Sequence, residues 1–96
     1  MNEAQLLHKV LGLAAKHKVL AYHSYGPPVS TKGFPDLVIV GEHGVIFAEL
    51  KSADGDTSPE QDLWIWTLAA AGFPCQLWRP EDLDSGEIEE MIRRIG

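Results

Sequence analysis

Leu6, Leu7, Val10, Leu11, Leu13 and Ala14 recur at helical spacing and predict a helix over about residues 3–18. Asn2, with Gln5 three positions on, supplies a capping-box start, and Glu3 lies one turn before Leu6 and Leu7 on their side of the helix. The period then changes. Residues 19–24 read as a strand, and the stretch YGPPVSTKGF at 25–34 as a Gly/Pro/Ser-rich loop. Residues 35–51 predict a β-hairpin that is apolar on both faces. Val38, Val40, Val45 and Phe47 lie on one face, and Leu37, Ile39, Ile46, Ala48 and Leu50 on the other, so helices are expected on each. After the polar turn SADGDT, Ser58-Pro59-Glu60-Gln61 combines a Ser N-cap, a Pro at N1 and a Gln at N3. That helix should run to about Ala71, where Gly72 stops it, with Gln61, Trp64, Ile65 and Leu68 on one stripe. A fourth strand at 73–78, a charged turn at 79–85 and a short helix marked by Ile88, Met91, Ile92 and Ile95 complete the chain. The expected architecture is α/β: one domain over 1–96, in the order α-β-β-β-α-β-α, with a mixed sheet flanked by helices.

The hairpin also predicts a register. With Gly41-Glu42-His43-Gly44 as the loop, Val40 faces Val45, and counting outwards brings Asp36 opposite Glu49. Directly opposed side chains sit roughly 4.5–5.5 Å apart at Cβ, where like charges are destabilising. Lys51 shares the face of Glu49 because side chains alternate. Two carboxylates and an ammonium at one end of an apolar hairpin call for a cation between the carboxylates. Oxygen-ligated Mg²⁺ or Mn²⁺ is the natural candidate, and the pattern outlines a metal-dependent phosphodiester-cleaving site.

Composition narrows the class. A hydrophobic content of 45% with three Trp supports a packed core. No apolar run approaches the roughly 20 residues of a membrane span, and the N-terminus lacks the pattern of a signal peptide. The lone Cys75 cannot form an internal disulfide and fits a reducing cytoplasm (a host's, for a viral chain); it reads as a buried apolar residue. The net charge of −6 argues against a generic nucleic-acid binder. Its distribution is uneven, however. Four lysines against one glutamate give residues 1–35 a charge of +3, and four basic against thirteen acidic residues give 36–96 a charge of −9. A phosphate-facing surface should therefore come from the N-terminal third.

Gly33-Phe34-Pro35-Asp36, followed by Glu49-Leu50-Lys51 on the next strand, resembles the PD-(D/E)XK nuclease signature. Ser58-Pro59-Glu60-Gln61 with Gly72, the Glu3-Ala4-Gln5 opening and Ala21-Tyr22-His23 resemble its VRR-NUC branch, so the likeness spans nearly the whole chain. It implies a restriction-endonuclease-like core and Mg²⁺- or Mn²⁺-dependent cleavage of DNA, as an endonuclease on branched or otherwise irregular DNA. Position by position, it implies Asp36 and Glu49 as metal ligands, Lys51 as the catalytic lysine, Glu3 as a helix-borne fourth group that can reach the metal, and Gln61 as the helix glutamine bordering the site. The backbone carbonyl of Leu50 is a further ligand candidate, since its side chain points to the opposite face. The loop before Pro35-Asp36 offers only Lys32 where the family is richer in Arg, which bears on DNA affinity and substrate shape.

Other readings stand beside this one. A catalytically silent DNA-binding or assembly module could keep the same fold, and an RNA-directed or toxin-like nuclease would share the chemistry. His8, His17, His23 and His43 lack zinc-like spacing and read as surface or packing residues, with His23 the one placed to border the site. Trp64 and Trp66 point to different sides of their helix, so one should be exposed or in a subunit interface. The small surface of the domain suggests a two-fold homodimer.

Overall fold

The hairpin organises the structure. The computed structural model describes residues 1–25 and 31–96, so residues 26–30 of the expected Gly/Pro/Ser-rich loop lie outside the described part. The elements are α1 (Glu3–Lys16), β1 (Leu20–His23), β2 (Leu37–Gly41), β3 (Gly44–Leu50), α2 (Pro59–Ala70), β4 (Cys75–Trp78), α3 (Pro80–Asp84) and α4 (Glu87–Ile95). The sheet order is β1-β2-β3-β4, with two antiparallel ladders and a parallel β3–β4 pair joined through α2. A mixed sheet flanked by helices is what the hydrophobic pattern predicts.

The register of the hairpin matches the count from sequence, with Leu37 opposite Ala48, Ile39 opposite Ile46 and Val40 opposite Val45. The loop is shorter than expected. Gly41 pairs with Gly44, leaving a two-residue turn of Glu42 and His43. Backbone proximity explains the glycine: a Cβ on Gly41 would collide with the carbonyl of Ile95, and His43 N donates to that carbonyl at 2.9 Å. The turn thus caps the C-terminal end of α4.

One face of the sheet carries the core. Leu37, Ile39, Ile46, Ala48 and Leu50 meet Leu6, Val10 and Ala14 of α1 and Ile88 and Ile92 of α4, all buried. Each large aliphatic side chain so buried contributes about 1.5–3 kcal/mol. The capping box opens α1 as expected, with Gln5 N donating to Asn2 Oδ1 and Asn2 N to Gln5 Oε1, both at 2.8 Å. At the other end of that helix, Lys16 Nζ and His17 Nε2 both reach Glu89 Oε2, at 2.7 and 2.8 Å, and tie α1 to α4.

Three expectations need correction. The charged turn at 79–85 contains a helix, α3, because Pro80 stands at its first turn and Asp82 Oδ2 accepts from Arg79 N at 2.8 Å. The fourth strand begins at Cys75 rather than Phe73, since Gly72 adopts φ +92° and Pro74 has no N–H for a ladder. The second sheet face is not covered along its length by helices. The helix α2 packs on β4 and buries none of its residues, so Leu20, Tyr22, Val40 and Val45 stay 75, 58, 39 and 46% exposed.

Candidate functional site

The site forms where β1 and β3 end and β2 begins. Ser24, just past β1 and 6% exposed, fixes the approach to β2: its Oγ donates to Pro35 O at 3.0 Å and its N to Asp36 O at 2.9 Å. Asp36 therefore projects across the hairpin, and its Oδ2 accepts from Leu50 N at 2.8 Å. Glu49, the residue before, is 2% exposed because the first turn of α2 lies over it. The Asp36 and Glu49 carboxyl groups are close enough to act on each other electrostatically.

The electrostatics follow from that proximity. Burial, the adjoining Asp36 carboxyl and its charge push the Glu49 carboxyl up to about 9, with Glu3 adding to the rise and Lys51 opposing it. Burial and the neighbouring Asp36 charge thus favour the protonated form of Glu49 in the metal-free protein.

Gln61 serves the helix start and the site at once. Its Oε1 accepts from Ser58 N at 2.8 Å, and Ser58 Oγ accepts from Gln61 N at 3.2 Å. The capping box thereby consumes the amide oxygen and leaves the NH₂ group to donate to Glu49 Oε1 at 3.0 Å. The two sequence motifs are also packed together. Gly33 has φ +88°, and a Cβ there would lie 2.6 Å from the Glu60 carbonyl oxygen, so the Gly33–Asp36 loop is pressed onto the first turn of α2. Phe34 meets Trp64 edge-on at 5.0 Å, and Lys32 Nζ pairs with Glu60 Oε1 at 3.1 Å. Trp66, by contrast, is 68% exposed.

Glu3, Ala4, Leu7, His23, Asp36 and Leu50 line a cleft of about 210 Å³. Four residues singled out from sequence thus meet here, counting His23 as the histidine that borders the site. Lys51, half-buried, follows Leu50; its N donates to Trp78 O at 3.0 Å, and its charge acts on Glu49. Cys75 is half-buried rather than buried, and desolvation pushes its thiol up to about 12, which removes it as a nucleophile.

Two supporting residues gave no sequence signal. By sequence Ser24 is only a strand end. Arg79 falls in a predicted turn, yet its Nη1 donates to Ser52 O and Gly55 O, each at 2.7 Å, and pins the loop that follows Lys51. A serine after a strand and an arginine before a proline are too common to mark such roles.

Among the described residues, no three His, Cys, Asp or Glu side chains are arranged to enclose a metal ion. The donor set still suits a hard divalent cation. Mg²⁺ is commonly held by one or two carboxylates and keeps several waters, and here the Asp36 and Glu49 carboxyl groups are neighbours.

No family model matches the chain, and no curated protein matches it. A solved structure described as a VRR_NUC domain protein does: the two share a TM-score of 0.75 at 19% identity, over 100% of this chain and 91% of that one. The chain has a VRR-NUC-like fold. Within it, Asp36, Glu49 and Lys51 occupy the open end of the hairpin, and Gln61 reaches the same place from the crossover helix.

Proposed function

We propose that this VRR-NUC-like protein is a divalent-metal-dependent deoxyribonuclease of the PD-(D/E)XK type, an endonuclease on branched or otherwise irregular DNA. The observation that carries the reading is the buried Glu49 carboxyl, held by Gln61 and crowded by the Asp36 carboxylate, with the Lys51 charge acting on it. A pair of like acids forced together costs stability and is retained where a ligand uses it. The name of the structural neighbour points the same way.

Asp36 and Glu49 would hold Mg²⁺ or Mn²⁺, with the Leu50 carbonyl as a further oxygen donor; Glu3, which lines the cleft, is not grouped with the two acids as a third metal-holding side chain in the metal-free protein. Bound there, the cation lowers the pKa of a water and screens charge on the phosphate. The chain's own residues do the rest. Lys51 places a positive charge where the attacking water and the developing oxyanion lie. Gln61 fixes the Glu49 carboxylate, and Ser24 fixes Asp36 through its backbone. With the Cys75 thiol up at about 12, a water rather than a side chain is the nucleophile, and hydrolysis proceeds in one step without a covalent enzyme intermediate.

The test is a panel of duplex, flap, splayed-arm and four-way-junction DNA, with RNA of matching shapes, in Mg²⁺, Mn²⁺ or EDTA. We expect metal-dependent cleavage of an irregular DNA and none in EDTA. No cleavage across the panel, together with no heat of Mn²⁺ binding by calorimetry, would leave the silent-module reading in its place.

We also propose that the protein works as a homodimer. The strand registers place Leu20, Val40 and Val45 in one row and Tyr22, Val38 and Phe47 in the next, a continuous uncharged surface on the open sheet face. Two such faces cover each other in a two-fold pairing, with the apolar core that homodimer interfaces favour. Light scattering should give twice 10.6 kDa. Val45→Glu should return the mass to that of one chain, and a wild-type monomer at working concentration would remove the dimer.

A further inference from the structure

We infer that the substrate strand extends from the cleft that Asp36 lines along the first half of α1, where Lys9 holds a phosphate flanking the scissile one. This rests on the nuclease reading and adds the path of the bound strand. The starting point is what the eight basic residues are already doing. Lys16 pairs with Glu89, Lys32 with Glu60, and Arg93 and Arg94 with Glu90. Arg79 is held by two loop carbonyls. Among the described residues this leaves Lys9, Lys18 and Lys51 without an ion pair. In an acidic protein these three are the cations open to a polyanion.

Their positions separate them. Lys51 adjoins the carboxylate pair. Lys18 lies beyond the C-terminal end of α1. Lys9 lines a trough of about 530 Å³ together with Met1, Asn2, Ala4, Gln5 and His8. That trough joins the catalytic cleft, since Ala4 lines both. Helical geometry explains the join: Glu3 and Leu7 form one i, i+4 row facing the cleft, and Ala4 and His8 form the adjacent row. The trough offers an apolar floor for a base at Met1 and Ala4. It also offers polar donors: the capping box uses the side-chain oxygens of Asn2 and Gln5, and their amide nitrogens have no partner among the described residues. A cation beside an apolar floor suits single-stranded nucleic acid, whose bases pack while its phosphates pair. Metal bound at Asp36 and Glu49 would offset the negative side of the cleft that the strand must cross.

The experiment compares Lys9→Glu with Lys18→Glu, which changes the net charge equally at a position past the C-terminal end of α1. Binding of a fluorescent, phosphorothioate-blocked oligonucleotide by anisotropy in Ca²⁺, and cleavage kinetics in Mg²⁺, are read at several salt concentrations. Circular dichroism melting checks that both variants fold. We expect Lys9→Glu to weaken binding about tenfold at low salt and to lower the salt slope by about 0.7–0.9, the loss of one phosphate contact. In cleavage the effect should fall on KM rather than kcat, and Lys9→Gln should lie between. Lys18→Glu should shift binding less than twofold. Equal losses in the two variants would mean that only net charge matters, and would overturn the path while leaving the nuclease reading intact. A wild-type protein that neither binds nor cleaves any nucleic acid overturns both.

Discussion

Lys51→Ala should lower kcat by about 10²–10³-fold, the usual cost of removing one preorganised charge from a reacting centre, while the melting temperature moves by no more than about 2 °C. The second half follows from the surroundings of the side chain. Lys51 forms no ion pair among the described residues, so its removal leaves no buried acid unpaired at that contact. Its structural bond is from its backbone N to Trp78 O at 3.0 Å, which alanine keeps. The loop beyond is held by Arg79 rather than by Lys51. A secondary effect is expected on the metal. The Lys51 charge opposes the rise of the Glu49 pKa, so the variant should bind Mn²⁺ more weakly. Single-turnover cleavage at saturating Mn²⁺ separates the two effects. Undiminished cleavage there would deny Lys51 its role. Lys51→Arg is not expected to restore the rate, because a planar guanidinium replaces a compact ammonium.

How much of this was legible in the sequence depends on what kind of interaction fixed each feature. The hairpin register was readable because alternation and a short turn leave one pairing that keeps Leu37, Ile39, Ile46 and Ala48 on one face. Asp36 and Glu49 then fell opposite each other by counting. The dual use of Gln61 was half readable: the capping box is a local pattern, but the donor it leaves for Glu49 depends on tertiary placement. Nothing local marked the supporting roles of Ser24 or Arg79, whose side chains donate to backbone carbonyls 11 or more positions away in sequence. The uncovered sheet face was misread for a related reason. A strand apolar on both sides predicts cover on both, yet the pattern does not say whether a helix of the same chain or another chain supplies it.

Glu49→Gln is expected to abolish the pH dependence that this site imposes on stability and to make the metal-free protein more stable above neutral pH. The folded-state pKa is raised, from 4.5 to about 9, so the native state holds a proton that the unfolded chain has already released. The wild-type stability contributed by this group is then fully present below about pH 4.5 and is lost as pH rises towards 9. Glutamine imitates the protonated acid. Its oxygen can accept from Gln61 Nε2 and its NH₂ can donate to Asp36, and neither bond is lost at high pH. Glu49 is 2% exposed, so solvent does little to soften the effect. At about 1.4 kcal/mol for each pH unit between the two pKa values, the variant should lead by a few kcal/mol at pH 9, or roughly 10 °C or more in a domain of this size. At pH 5 the two proteins should be nearly equal. Denaturant unfolding of both in EDTA at pH 5, 7 and 9 reads the difference directly, and titrating groups remote from position 49 cancel in the comparison. The same variant should bind Mn²⁺ more weakly, because one of the two anionic ligands has become neutral. A wild type that gains on the variant between pH 5 and 9 would show that burial and the Asp36 charge do not favour the protonated form of Glu49. In that event the crowding on which the metal site depends would be absent.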